Sequence, residues 1–366
     1  MKASALEGRA MEREFMKGCE AIAEAAVRAG CRFFAGYPIT PQNEVPEYFS
    51  WRLPEVGGSF VQAESEVAAI NMVYGAASTG TLAMTSSSSP GISLKTEGIS
   101  YLAAARIPAL IMNVQRGGPG IGTISAAQSD YFQAVKAPGH GGFRCMVFSP
   151  ATVQETVDLI PMAFEKSQRD RNPAIMLVDG CIGAVMEPVV LPEMKELDAE
   201  RDKGWELTGC SGRESRCLIP YVATMDQVAE RSRSRVEMYE RWDREDALSE
   251  ELYLEDAEIV LTAYGTAARV AKSVVKALRE KEIKAGIIRP ITVSPFPREP
   301  YRKIGDGPAK LLIDIEMTQP GQMLEDVLIA AENRVPAAFL GYPSGVVPTD
   351  SDMLEDIERI IKGRCL

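Results

Sequence analysis

Two carboxylates stand close together in "FVQAESEVAAINMVYGAASTG", residues 60–80, where Glu64 and Glu66 come before a run of small and apolar residues. Glu64 follows the strand-like "SFVQ" and is predicted to open a helix whose Ala68, Ala69, Gly75, Ala76 and Ala77 let another surface approach closely. An acid there has two readings. It complements the helix macrodipole, worth about 0.3–1 kcal/mol, or it serves a ligand. Glu66, one position of the turn further in, leans more to the structural reading.

Three more stretches could do chemistry. In "AGYPITPQNEVP" (35–46), Pro38 and Pro41 bracket Ile39 and Thr40 in a loop at the carboxyl end of a predicted strand, where α/β folds place ligands. The Thr40 hydroxyl could be held there with little entropy left to lose, or the loop is simply a turn. "TSSSSPGISLK" (85–95) ends a strand in hydroxyls and starts a helix at Pro90 with Ser89 as cap, which suits an anion site or an ordinary helix start equally. In "NVQRGGPG" (113–120), Arg116 leaves a buried strand into a glycine loop, so its guanidinium could grip a carboxylate in bidentate fashion or pair with loop carbonyls.

Other residue types exclude chemistry. His140 is the single histidine, so no multi-histidine metal site is possible within the sequence, and its "PGHGG" setting is poor support for an oriented base. Gly305-Asp306-Gly307 with Asn333 matches the outline of a diphosphate-magnesium signature. In that signature the GDG ends a strand, whereas here it precedes "AKLLIDIE", so a turn is predicted. The seven cysteines are scattered without a C-x-x-C pair and read as reduced thiols, with no iron-sulfur spacing.

The elements that must position these residues alternate. Helix-like "MKGCEAIAEAAVRAG", strand-like "CRFFAGYPIT", the helix from Glu64, strand "TLAMTSSSSPG", helix "ISLKTEGISYLAAAR" and strands "IPALIMNVQRGGPG" and "PAIMLVDG" predict an α/β layer with a mainly parallel sheet over 14–190. A charged segment, 191–256, follows as a helical connector. In it Thr224 and Gln227 suggest a capping box, and Val228, Val236, Tyr239 and Trp242 mark a thin apolar stripe. From 257 to 366 the alternation resumes, with "AEIVLTAYG", a helix carrying Ala267, Val270, Val274 and Leu278 on one face, strand "IKAGIIRPITVSPFP", strand "AKLLIDIE" and helix "GQMLEDVLIAAENR", giving a smaller α/β domain.

The 366 residues, 46% hydrophobic and 25% charged, suffice for two or three domains. A net charge of -11 argues against a nucleic-acid backbone binder, which needs a basic face. No apolar run reaches about 18 residues and the start lacks a secretory core, so a cytoplasmic protein with no membrane contact is expected. Met11 is a second possible start, with the first ten residues an extension.

Taken together, "GYPITP" (36–41), "QAESEVAAI" (62–70), "NVQRGGPG" (113–120), "QSDYFQAVKAPGHGGFR" (128–144) and "GIIRPITVSPFP" (286–297) resemble the alpha subunit of 2-oxoacid:ferredoxin oxidoreductases, from about residue 14 to 350. The likeness is greatest to separate-subunit enzymes for branched-chain 2-oxoacids (2-oxoisovalerate) or 2-oxoglutarate. It implies a thiamine-diphosphate-binding-type parallel sheet, the pyrimidine domain, followed by a transketolase C-terminal-like domain. It further implies oxidative decarboxylation of a 2-oxoacid with coenzyme A, giving acyl-CoA, CO2 and reduced ferredoxin.

By the same resemblance Glu64 is the buried acid on the cofactor's aminopyrimidine ring, favouring the tautomer that removes the C2 proton. Tyr37, Pro38, Ile39 and Ser88 join it at the cofactor, and Thr40 and Arg116 bind substrate. A beta subunit is implied to bring Mg2+ and diphosphate binding, with gamma and delta subunits beside it and iron-sulfur clusters on the partners only. "MTQPGQM" (317–323) is one residue longer than the family's turn, and the connector is unusual. The rival expectations are a non-redox thiamine-dependent decarboxylase or transketolase-like subunit, which needs a complete metal motif in this chain, and a non-catalytic assembly partner.

Overall fold

The computed structural model describes residues 13–196 and 203–364. Met11, the first ten residues, Cys365 and part of "EMKELDAERDKGWEL" lie outside these. The first domain runs β1 (Glu14–Lys17), α1 (Gly18–Arg28), β2 (Phe33–Gly36), α2 (Glu44–Glu55), β3 (Ser59–Gln62), α3 (Glu66–Ser78), β4 (Ala83–Ser87), α4 (Pro90–Ala105) and β5 (Leu110–Gly117). It continues through β6 (Thr123–Ala126), α5 (Tyr131–Val135), β7 (Met146–Phe148), α6 (Val153–Asp170), β8 (Ala174–Asp179), α7 (Gly180–Ala184) and β9 (Met186–Val189).

The connector carries α8 (Met225–Glu245). Beyond it lie β10 (Ser249–Leu252), β11 (Ile259–Ala263), α9 (Gly265–Glu280), β12 (Ala285–Pro290), β13 (Thr292–Ser294) and α10 (Arg298–Ile304). The chain finishes with β14 (Leu311–Glu316), α11 (Met323–Ala330), β15 (Ala337–Gly341) and α12 (Asp350–Gly363).

The larger sheet has the order β13-β7-β8-β5-β4-β2-β3, with β6 folded back on β5. From β7 to β3 every pair is parallel. Such strands are covered on both faces, which is why β8 is apolar up to Asp179 and β5 is apolar over Leu110, Ile111 and Met112 before its polar end. Alternation along β5 sends Leu110, Met112 and Val114 to a core under α1, α2 and α6, and Ile111 to the opposite core under α3 and α4. α1 can sink between its neighbours because Ala21, Ala23, Ala25 and Ala26 leave it narrow.

The second sheet, β10-β12-β11-β14-β15, is parallel apart from β10. One of its faces shares a core with the first domain, where Tyr264, Tyr301 and Leu312 join Tyr131, Ala134 and Val147. On its other face Ala267, Ala271, Val274 and Leu278 of α9 pack with Met353 and Ile357 of α12. Asp179, at the end of β8, is fully buried and accepts from the Thr266 N–H (2.7 Å) and hydroxyl (2.6 Å) of α9, which pins the two domains together.

The structure corrects three expectations. "IKAGIIRPITVSPFP" is not one strand: β12 stays in the second sheet while β13 crosses to the first and pairs antiparallel with β7. An apolar run buried on both faces carries no mark of where it changes sheets. β10, inside the range assigned to the connector, is an edge strand of the second sheet. α3 begins at Glu66, because Ser65 takes the cap position and its hydroxyl accepts from the Ala68 N–H at 3.1 Å.

GDG lies in the turn after α10, with Asp306 paired to Arg334. In the connector, Thr224 accepts from the Gln227 N–H at 3.3 Å. Only the C-terminal half of the α8 stripe is covered: Trp242 is buried and donates to Asp170 at 2.8 Å, while Val228 and Val236 stay exposed. No described helix is long and apolar enough to cross a membrane, and the six described cysteines are free thiols.

Candidate active site

The carboxyl ends of β2, β4 and β5 converge, and the loops that leave them bring together the "GYPITP", "TSSSSPG" and "QRGGPG" stretches. That edge is where an open parallel sheet presents ligands. Gln42 ties the first two stretches, accepting from the Ser86 hydroxyl and donating to the Tyr37 carbonyl at 3.5 Å. Arg116 ties the third to the first, through Nη1 to the Thr40 carbonyl (2.8 Å) and Nη2 to the Ile121 carbonyl (3.1 Å). Its Nε is buried with no partner.

The turn into α4 is strained and held. Ser89 has φ 24° and ψ −82°, outside the regions that L-residues favour. Asn113 Oδ1 accepts its N–H at 3.1 Å, and its hydroxyl donates to Asp130 at 2.5 Å and accepts the Arg116 N–H at 3.0 Å. Burial raises the Asp130 carboxyl above its ordinary value, against the bonds from Ser89 and Asn113 that favour its charge. Ser89 thus occupies the cap position, but its hydroxyl is spent on Asp130 rather than on the helix.

The two acids of the opening stretch part company. Glu64 is exposed in the bend before α3, whereas Glu66 is 5% exposed and faces inward. Among the described residues no hydrogen-bond donor reaches the Glu66 carboxylate. A methyl group on Gly91 would collide with that carboxylate and with Ser87 Oγ, so glycine lets the start of α4 come this close to both. Ser87 and Ser88 bury hydroxyls with no partner. A buried carboxylate and two buried hydroxyls without partners make a cradle for a ligand that carries donors and acceptors.

Lys95 of α4 is fully buried beside this cradle and donates to Thr85 Oγ1 (2.5 Å) and the Ser86 carbonyl (3.0 Å). Burial lowers its ammonium to about 7, and the Glu66 charge opposes that fall.

The remaining sequence-predicted residues sit at the rim. Thr40 is exposed, its hydroxyl accepting from Asn43 at 3.5 Å. Tyr37 and Pro38 are exposed and Ile39 half-buried. His140, whose sequence setting is poor support for a base, is exposed against α4, with its backbone N–H on Ser100 and its ring edge-on to Tyr101. Sequence reading leaned to a structural role for Glu66 and did not single out Lys95, although a signal for the burial of both existed. Glu66, Ala69, Ile70, Val73 and Ala77 recur at helical spacing and are all buried, as are Ile92, Lys95, Ile99 and Leu102.

Residues 24–248 match the family described as pyruvate flavodoxin/ferredoxin oxidoreductase, thiamine diP-bdg, and residues 257–353 match pyruvate:ferredoxin oxidoreductase core domain II. The ketoisovalerate oxidoreductase subunit VorB of Methanothermobacter thermautotrophicus is 44% identical over 96% of this chain and 98% of its own length.

The chain belongs to the 2-oxoacid:ferredoxin oxidoreductase subunits.

The 2-oxoglutarate synthase subunit KorA of Methanocaldococcus jannaschii is 33% identical over 80% of this chain and 86% of its own length. A solved 2-oxoglutarate:ferredoxin oxidoreductase from Magnetococcus marinus shares the fold, with a TM-score of 0.86 at 24% identity, covering 97% of this chain and 66% of that one. A split-gene transketolase aligns with a TM-score of 0.58 at 12% identity, over 95% of this chain and 99% of that one. This oxidoreductase subunit therefore has a thiamine diphosphate-binding domain, and Glu66, Ser87 and Ser88 offer a ligand one acceptor carboxylate and two unpartnered hydroxyls.

Proposed function

We propose that this subunit forms the pyrimidine side of a thiamine diphosphate site in a 2-oxoisovalerate:ferredoxin oxidoreductase, with Glu66 rather than the exposed Glu64 as the ring-facing carboxylate. The observation that carries this reading is the buried Glu66 carboxylate, which no described donor reaches, close to the unpartnered Ser87 hydroxyl. When bound, thiamine diphosphate supplies the carbon nucleophile and electron sink for decarboxylation. Glu66 accepts a hydrogen bond from a ring nitrogen and fixes the ring's tautomer. Ser88 and the Tyr37-Pro38-Ile39 segment line the ring, and Thr40 orients the substrate carbonyl or carboxylate. Arg116 adds positive charge at that carboxylate and keeps Nε as an unspent donor.

A beta subunit brings Mg2+ and diphosphate binding, and iron-sulfur clusters reside on partner subunits, gamma and delta among them. Coenzyme A takes the acyl group and ferredoxin the electrons, in the cytoplasm. The higher identity to the ketoisovalerate subunit than to the 2-oxoglutarate subunit favours a branched-chain substrate.

The test is co-purification with the products of neighbouring genes, then turnover of 2-oxoisovalerate, 2-oxoglutarate and pyruvate with coenzyme A and ferredoxin. The expected result is the highest kcat/KM for 2-oxoisovalerate. Highest efficiency with 2-oxoglutarate would replace the substrate, and no coenzyme A-dependent turnover with any of the three would overturn the reading.

A further inference from the structure

A lysine buried completely, with no carboxylate in ion-pair contact, is costly to keep and seldom accidental. Lys95 stands in the apolar stripe of α4, between Ile92 and Ile99, one turn beyond the Pro90-Gly91 start that borders the cradle. Its ammonium has three donors, of which Thr85 Oγ1 and the Ser86 carbonyl take two. Both acceptors lie at the end of β4, immediately before the unpartnered Ser87 and Ser88 hydroxyls. Thr85 in turn donates to the Ala35 carbonyl at 2.7 Å, and Ser86 reaches Gln42. One side chain therefore anchors the strand end from which the cradle is built.

We propose that Lys95 is a positioning residue for the Glu66 carboxylate, providing a buried counter-charge and locking the β4 end against which the carboxylate faces the ring. This rests on the assignment of Glu66 above. The two groups act on each other through a low-dielectric interior, where charges beyond direct contact still couple. Burial pulls the ammonium towards neutrality and the Glu66 charge works against it, so at neutral pH the Lys95 charge depends on that carboxylate. The same ammonium holds Thr85 and Ser86 at the end of β4, so the strand end beside the carboxylate is fixed by the lysine.

The experiment uses the complex stripped of cofactor, prepared as wild type, Lys95→Met, Glu66→Gln and the double variant. Thiamine diphosphate affinity is read by tryptophan fluorescence and melting temperature is recorded for each sample. Lys95→Met keeps the length and apolar packing of the stem, so it is expected to melt no lower than wild type while binding the cofactor about tenfold more weakly. Glu66→Gln is expected to weaken binding at least as much. The double variant should bind no worse than Glu66→Gln alone, because the lysine acts through the acid.

Lys95→Gln, which keeps a donor but no charge, should repeat the loss and serves where Lys95→Met fails to fold. Wild-type affinity in Lys95→Met, or losses that multiply in the double variant, would overturn the role of Lys95 and leave Glu66 standing. Intact binding in Glu66→Gln would overturn both.

Discussion

Arg116 Nη1 donates to the Thr40 carbonyl at 2.8 Å across 76 residues of chain, so two site loops share one guanidinium. Its other nitrogen holds the Ile121 carbonyl. A lysine is a point charge and cannot serve both carbonyls in this planar arrangement. Arg116→Lys is expected to raise KM for the 2-oxoacid about tenfold with the complex still assembled. Unchanged steady-state kinetics would remove Arg116 from the substrate site.

Glu64 and Glu66 differ in burial, not in chemistry, so paired substitutions separate them. Glu66→Gln should slow exchange of the cofactor's C2 proton by about 100-fold or more, on the scale of a lost acid-base contact. Glu64→Gln should leave that exchange within about twofold. The reverse ranking, followed by NMR in deuterated buffer, would return the role to Glu64.

Asp179 bonds both the N–H and hydroxyl of Thr266 from a fully buried position. Asp179→Asn would place an amide where the domain joint presents donors, leaving buried groups unpaired. Destabilisation of about 2–4 kcal/mol is expected in urea unfolding. Thr266→Val, which leaves the backbone N–H bond, should cost less. Equal stability of Asp179→Asn and wild type would show that the joint does not depend on this contact.

Asp314 and Glu316 lie buried together in β14, and burial pushes the Asp314 carboxyl well above its ordinary 3.8, reinforced by the adjacent Glu316. The folded state therefore holds a proton that the unfolded chain releases near 3.8. The stability this proton contributes is complete below that pH and is lost as pH rises through the folded value. Asp314→Asn should flatten the decline, so its stability relative to wild type should increase from pH 5 to pH 8. Parallel curves for the two proteins would contradict the protonated state.

Much of the architecture was legible because burial leaves periodic traces. The helix of Ala267, Val274 and Leu278 and the apolar β5 and β8 declare their faces in the residue pattern. The GDG turn was readable from its place before a strand, and the three site loops from their prolines, serines and glycines. The split of 283–297 between two sheets was not, since β12 and β13 are both buried and neither side-chain period nor composition changes at the crossing.

The sequence by itself determined the family, the alternating α/β order and the loops that meet at the site, because these depend on local spacing and residue type. Only the tertiary structure decided which acid is buried and what stands behind it. Ser65 caps α3 and so turns Glu66 inward and leaves Glu64 in the bend, and the packing of α4 on β4 brings Lys95 beneath the same cradle. Burial of a charge depends on neighbours that are distant along the chain, and only the folded arrangement sets those neighbours.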